Sequence, residues 1–429
     1  MVTGGVRRTP VLVAASGAGW EAAAVRRLEQ APDLVLHRRS VDLADLLASA
    51  GTGLARCAVV ADTLSGLDAD AVAHLGRAGV RVVAVLSSGH SETRSRLVRI
   101  GVARLLDATD LDEICAAVRE VAVDQENPAP GSVDGDPNDP AATTGRGRLT
   151  VVWGPTGAPG RSTVALGLAA AAAQRRIPTL LVDADVYGGA TGQMLAVLDE
   201  VSGVLAAVRT AAEGSLDPDR LAAAAREIGP NLRVLTGLPR ADRWTALRPA
   251  AVRELLAVAR RQHRLVVVDC GFCIEQDEEL SFDTAAPRRN GATTTVLEQA
   301  DLVVAVGSAD PLGLTRLARA RGDLRELVPT AEVRLVVNRV RSGLGWSRDE
   351  VAATLLTAIG EVPLAFLPQD QAAVDQAWLT GRTLPEAAPS SGLTAALDVL
   401  AADVAAELGL APGPGRTRHR RRDRRLVRR

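Results

Sequence analysis

Leu149-Thr150-Val151-Val152-Trp153-Gly154-Pro155-Thr156-Gly157-Ala158-Pro159-Gly160-Arg161-Ser162-Thr163 decides the fold of this chain. An apolar run, Leu149 to Trp153, enters a glycine-rich loop, and the loop opens an alanine-rich helical stretch, Val164 to Ala173. Strand, glycine loop and helix in that order make a phosphate-binding loop, because backbone N–H groups and the helix N-terminus together surround phosphate oxygens. The usual pattern has a lysine just before the Ser/Thr, reaching the β- and γ-phosphates. Arg161 stands there instead, and none of the 429 residues is a lysine. Gly154, Gly157, Gly160, Arg161, Ser162 and Thr163 are the candidate nucleotide-binding residues. Hydrolysis, binding without turnover and an empty scaffold are all open to such a site.

Outward from the loop, the segment after it alternates buried-type strands with helical patterns. Thr179–Asp183, Leu232–Leu235, Leu265–Asp269, Leu302–Val306 and Val333–Asn338 read as strands, and Leu314, Leu317, Leu324 and Leu327 keep helical spacing. The segment before it alternates in the same way. Val11–Ala15, Ala58–Ala61, Val82–Leu86 and Arg104–Leu106 read as strands, with helices over Glu21–Gln30, Val41–Ala50, Asp68–Arg77, Ser91–Ile100 and Leu111–Val121. Alternation of this kind predicts an α/β protein of two doubly wound, parallel-sheet domains. Residues 124–148, rich in Pro, Gly, Asp and Asn, form a disordered linker between a domain over 1–123 and one over 149–411. A tail over 412–429 opens with Pro412-Gly413-Pro414-Gly415.

Composition narrows the setting. Hydrophobic residues make up 47% and aromatics 2%, so the cores must be built from Ala, Val and Leu. Four cysteines in this length favour a reducing cytoplasm over a disulfide framework. No apolar run approaches the ~20 residues that cross a bilayer. The expected location is cytoplasmic, with peripheral attachment at the membrane, pole or septum as the further option. The formal charge is −1, but Arg416–Arg429 holds nine arginines and one aspartate, a net of +8 that leaves about −9 elsewhere. Such a tail suits an anionic membrane surface or nucleic acid, or simply keeps the chain soluble. Cys270-Gly271-Phe272-Cys273 has redox and metal-site spacing, yet one pair cannot complete a four-ligand zinc site, and buried small hydrophobes are the simpler identity. The acidic run Glu275–Glu279 reads as a solvated insertion.

Several strand ends carry polar residues. Leu180-Leu181-Val182-Asp183-Ala184-Asp185 brings two acids, Val266-Val267-Val268-Asp269 has the form of a Walker B strand, and Val336-Val337-Asn338-Arg339 ends in an amide; Phe366-Leu367-Pro368-Gln369-Asp370 follows. With the glycine loop before them, these segments resemble the MinD/ParA superfamily of deviant-Walker ATPases over roughly residues 149 to 400. The family loop reads Lys-Gly-Gly-x-Gly-Lys-Ser/Thr, and Thr156 to Ser162 fill its slots. The resemblance implies ATP or ADP with Mg²⁺ as cofactor. It implies Ser162 and Asp269 as Mg²⁺ ligands, Asp183 and Asp185 as the catalytic residues of the switch and attacking water, and Asn338 as an adenine contact.

The first domain resembles the response-regulator receiver, which would place Asp62 at the phosphoacceptor position and Ser87 at the switching Ser/Thr. Ala14-Ala15-Ser16 replaces the receiver's acidic pair, and Asp107 its lysine, so Asp62 is expected to be inactive and the domain a pseudo-receiver used for contacts. A pseudo-receiver before a MinD/ParA-like domain is similar to the CpaE/TadZ-like proteins, and closer still to the actinobacterial septum-site-determining proteins. Two departures weigh against turnover: Thr156 replaces the family's signature lysine, and Arg161, larger and fork-shaped, is no isostere of the second. Losing one preorganised donor costs ~3 kcal/mol, or about 10²–10³ in rate. The expectation is a spatial regulator or scaffold whose ATPase activity is nil or very weak. It would place the division septum or pilus-assembly machinery as a homodimer with cell-division or Tad-pilus partners. The rivals are an active MinD-like ATPase cycling on the membrane and a ParA-like DNA-binding partition protein.

Overall fold

A computed structural model describes residues 8–15, 17–87, 91–123, 146–157, 159–197, 202–275 and 288–411. Most of the linker (124–145), Ala158 of the loop, most of the acidic run (276–279) and the arginine tail lie outside the described residues.

The first unit runs β1 (Thr9–Ala14), α1 (Glu21–Gln30), β2 (Leu34–Arg39), α2 (Leu43–Gly51), β3 (Cys57–Ala61), α3 (Ala69–Arg77), β4 (Arg81–Leu86), α4 (Ser91–Arg99), β5 (Arg104–Asp107) and α5 (Ile114–Val123). Its strands form a parallel sheet in the order β2-β1-β3-β4-β5. Side chains alternate across it: Val11, Val13, Val59 and Ala61 pack under α1 and α5, while Leu12, Ala58 and Val60 pack under α2, α3 and α4. Both faces are thus covered, as a parallel sheet requires. Strand β2 goes unread in the sequence because it is an edge: Leu34 is buried, whereas His37, Arg38 and Arg39 break the apolar pattern that marks an inner strand.

The second unit runs β6 (Arg148–Trp153), α6 (Arg161–Gln174), β7 (Thr179–Ala184), α7 (Thr191–Met194), α8 (Gly203–Ala212), α9 (Pro218–Ala224), β8 (Arg226–Gly229) and β9 (Leu232–Leu235). It continues through α10 (Pro249–Gln262), β10 (Leu265–Cys270), α11 (Gly291–Glu298), β11 (Leu302–Ser308), α12 (Pro311–Leu327), β12 (Val333–Val340), α13 (Arg348–Ile359), β13 (Ala365–Pro368), α14 (Gln371–Thr380), α15 (Leu384–Ala387) and α16 (Gly392–Glu407). The sheet order is β13-β12-β11-β6-β10-β7-β9-β8, parallel except for β8, which returns antiparallel on β9 at the edge. The chain leaves β6 at the middle of this sheet, with β11 on one side and β10 on the other. Connections part there, which is where an open α/β sheet forms its ligand crevice.

Helix α6 is buried from Val164 to Ala173, wrapped between the sheet and α16. Alanine suits that place: it favours the helix and lets neighbouring backbones approach. Between the units, the Arg248 guanidinium pairs with Asp68 at 2.9 Å, and the backbone N–H of Ala250 donates to Asp70 at 2.8 Å. The carboxylate of Asp70, on α3, therefore takes up a free donor of the first turn of α10. No helix among the described residues is long and apolar enough to cross a membrane.

Candidate functional site

The loop between β6 and α6 turns on Gly157 (φ +104°) and Gly160 (φ +95°), both in the left-handed region that a side chain disfavours. A Cβ at Gly160 would run into the Asn338 amide, and one at Gly157 into the Arg316 guanidinium. Asn338, at the end of β12, is 7% exposed and donates through Nδ2 to Pro159 O at 2.8 Å, so its amide nitrogen braces the loop. Ser162 and Thr163, in the first turn of α6, are half-buried.

Arg161 opens the helix, but its side chain turns back. Nη1 donates to Gly154 O at 3.2 Å and Pro155 O at 3.1 Å. Nη2 lies 3.7 Å from Asp185 Oδ2, and the guanidinium carbon is 5.8 Å from the centre of the Phe272 ring. The side chain is only 12% exposed. Its Nε is buried with no hydrogen-bond partner. Both bonds come from one nitrogen of the guanidinium, while the other faces the Asp185 carboxylate. The cation expected to face phosphate is tied to the loop's own carbonyls.

Three acids meet beside it. Asp183 and Asp269 are register partners on the adjacent strands β7 and β10. Asp183 is fully buried and accepts from Thr191 N (3.0 Å), Thr191 Oγ1 (2.8 Å) and Asp185 N (3.3 Å). Burial pushes its carboxyl above the usual range, against those donors. Asp185 accepts from Tyr187 N at 2.8 Å and faces Arg161. Asp269 is 0% exposed, and neither carboxylate oxygen has a hydrogen-bond partner. Burial, followed by the charge of Asp183, pushes its pKa well above the ordinary value; the neighbouring Ser162 hydroxyl opposes this without reaching hydrogen-bond geometry.

Among the described residues no three His, Cys, Asp or Glu side chains are grouped to hold a metal by themselves. Mg²⁺ does not need such a cage, since it commonly takes one or two protein oxygens and keeps waters or phosphate oxygens for the rest. The orphaned Asp269 carboxylate beside Ser162 fits that pattern, because an unpartnered buried acid is what a bound cation would relieve.

Other contributors escaped the sequence reading. Tyr187 OH donates to Asn290 Oδ1 at 2.8 Å and its ring lies 4.7 Å from that of Phe272, whose carbonyl accepts from Trp153 Nε1 at 3.2 Å. The fully buried Thr293 hydroxyl has no partner and sits where a Cβ on Gly271 would point. Rarity could have flagged the rings, since the chain has one tyrosine and three phenylalanines. Nothing local marks Thr293 or Arg316. Cys270 Sγ faces Val152 O at 3.6 Å and Cys273 accepts from Asn290 Nδ2 at 3.1 Å; both thiols are free.

In the first unit Ser87 donates to Asp62 through its hydroxyl (3.1 Å) and its backbone N–H (3.2 Å), one to each carboxylate oxygen. Ala14 and Ala15, buried at the end of β1, offer no carboxylate, and Asp107 pairs with Arg94 at 2.8 Å.

The chain matches no protein-family model and no curated protein. Among solved structures it is similar to a ParA family ATPase from Chlorobium tepidum TLS, at 20% identity and a TM-score of 0.51, over 59% of this chain and 98% of that one. It is also similar to the cell division ATPase MinD of Pyrococcus furiosus, at 19% identity and a TM-score of 0.49, over 61% and 99% of the two chains. At these identities the likeness is one of fold, and it rests on the first.

Proposed function

We propose that this chain, whose larger unit shares the fold of a ParA family ATPase, is a scaffold that holds a nucleotide and turns it over slowly or not at all. One arrangement carries the reading: Arg161 is spent on the loop's carbonyls beside a buried, unpartnered Asp269. Loop N–H groups and the α6 N-terminus would hold the phosphates. Asp269 and the Ser162 hydroxyl would hold Mg²⁺, which supplies neutralisation of phosphate charge. Asp183, its oxygens engaged by Thr191 and Asp185, braces the segment behind the site and has no surface from which to activate water. Asp185 is the one acid of the three that faces the loop's cation. The adenine contact carried from the resemblance would have to use Asn338 Oδ1, since Nδ2 is taken.

The test is calorimetric titration with ATP and ADP, with and without Mg²⁺, and phosphate release measured on the same sample. Mg²⁺-dependent binding without release is expected. Clear turnover would make this a working ATPase with an altered loop, and absence of binding would leave a scaffold with no nucleotide.

The cellular role extends this reading through the resemblance of the loop and of the first unit. It is spatial placement of septum or pilus-assembly machinery, through a homodimer and through contacts of a pseudo-receiver whose Asp62 is occupied by Ser87. A fluorescent fusion should concentrate at the septum or pole. Uniform fluorescence would reject the role while leaving the nucleotide site untouched.

A further inference from the structure

Helix α12 brings a second cation to the phosphate loop. The helix starts just after β11 ends, and β11 pairs with β6, so its opening turns stand beside the loop that leaves β6. Asp310 fixes that start by accepting from the N–H of Gly313 at 2.9 Å, and Leu314 and Leu317 are buried in the core. Arg316 lies between those two leucines in sequence, and its guanidinium reaches Gly157. A Cβ on Gly157 would overlap Arg316 Nη1 and stand 3.4 Å from Cζ, so the glycine leaves room for the guanidinium on the exposed side of the loop.

Arg316 differs from Arg161 in being unspent. It is half-buried, yet among the described residues its guanidinium makes no hydrogen bond and no ion pair. The acids nearby are served by other groups. Asp185 faces Arg161, Asp183 accepts from Thr191, and Asp310 accepts from Ser308 Oγ and Gly313 N. The cation that acts on Asp269 is again Arg161. A half-buried cation without a counter-charge is costly, and a bound anion relieves that cost. The loop already favours phosphate through its N–H groups, and a guanidinium fork matches phosphate oxygens.

We propose that Arg316 is the phosphate-binding cation of this site. With a nucleotide in the loop, its guanidinium meets the phosphates at Gly157, a role that Arg161, tied to Gly154 O, Pro155 O and Asp185, does not fill. Arg316 takes this role only when a nucleotide occupies the loop, so the inference rests on the nucleotide binding proposed above and adds the side chain that meets the phosphates.

Calorimetric titration of the full chain with ATP and Mg²⁺ tests it in the wild type, Arg316→Gln and Arg316→Lys. Arg316→Gln should bind at least about tenfold more weakly, the scale of one lost charge-assisted contact. Arg316→Lys, which keeps the charge, should fall between the two. Equal binding by the wild type and Arg316→Gln would overturn this inference and leave the nucleotide reading standing, whereas a wild type that does not bind would remove both. Arg316→Lys no tighter than Arg316→Gln would overturn it too, since charge would then not be what the residue supplies. On the wild-type protein, saturating ATP and Mg²⁺ should slow the modification of Arg316 by phenylglyoxal, as read by mass mapping. Arg319, exposed on the same helix, should keep its rate. An Arg316 modified as fast with ATP as without would overturn the inference independently of how the variants fold.

Discussion

Arg161 and Asp269 are the two residues whose surroundings decide the chemistry of the loop. Arg161→Lys removes the guanidinium whose Nη1 bonds Gly154 O and Pro155 O while Nη2 faces Asp185, and leaves a flexible point charge to follow phosphate. ATP affinity should rise by about tenfold, or ~1.4 kcal/mol, in calorimetry. Unchanged or weaker binding would show that the turned-back guanidinium is not what limits the site. Asp269→Asn removes an unpartnered buried carboxylate. The wild-type acid has a raised pKa, so the folded state holds its proton where the unfolded chain has lost it. Its contribution to stability therefore falls as pH rises from the unfolded value toward the folded one. Without Mg²⁺, Asp269→Asn should be more stable than wild type at neutral pH by ~1–3 kcal/mol, with the gain fading near pH 4, as read from paired melting curves. The same change should abolish the Mg²⁺ dependence of nucleotide binding. A variant equally or less stable at neutral pH would mean that Asp269 is already satisfied.

At the scale of elements, the site is a set of strand ends. Strands β6, β7 and β10 end side by side, which brings the loop, Asp183 and Asp269 together from distant parts of the chain. Those strands are legible because a parallel strand covered on both faces must be apolar throughout, as in Leu180-Leu181-Val182 and Val266-Val267-Val268. Strands β2 and β8 lie at sheet edges, where that demand lapses and the signal with it. Asn338 shows a different limit: its position at the end of β12 is readable, but its bond to Pro159 O joins residues far apart in sequence and exists only in the folded molecule. Asn338→Ala should lower stability by ~1–3 kcal/mol, because it leaves the Pro159 carbonyl unpaired in a buried setting. An unchanged melting temperature would mean that water satisfies that carbonyl as well.

Across the whole molecule, the two units are tied by acids of α3 to the start of α10. Asp70 is half-buried there and its carboxyl is pushed up by that burial, opposed by the N–H of Ala250. Asp70→Ala removes the capping carboxylate from α10, a loss of ~1 kcal/mol, and should loosen the units enough for calorimetry to resolve two unfolding transitions. A single sharp transition in the variant would place the adhesion elsewhere.

The sequence by itself determined the fold class and the place of the loop in it, because hydrophobic periodicity, glycine placement and strand-end polarity are local properties of the chain. Tertiary structure alone decided how the polar residues around the loop are spent. Arg161 is bound to its own loop, Asp183 to Thr191 and Asn338 to Pro159, while Asp269 is left without a partner. Burial and hydrogen-bond satisfaction depend on what the rest of the chain packs around a group, and so no spacing of letters could state them.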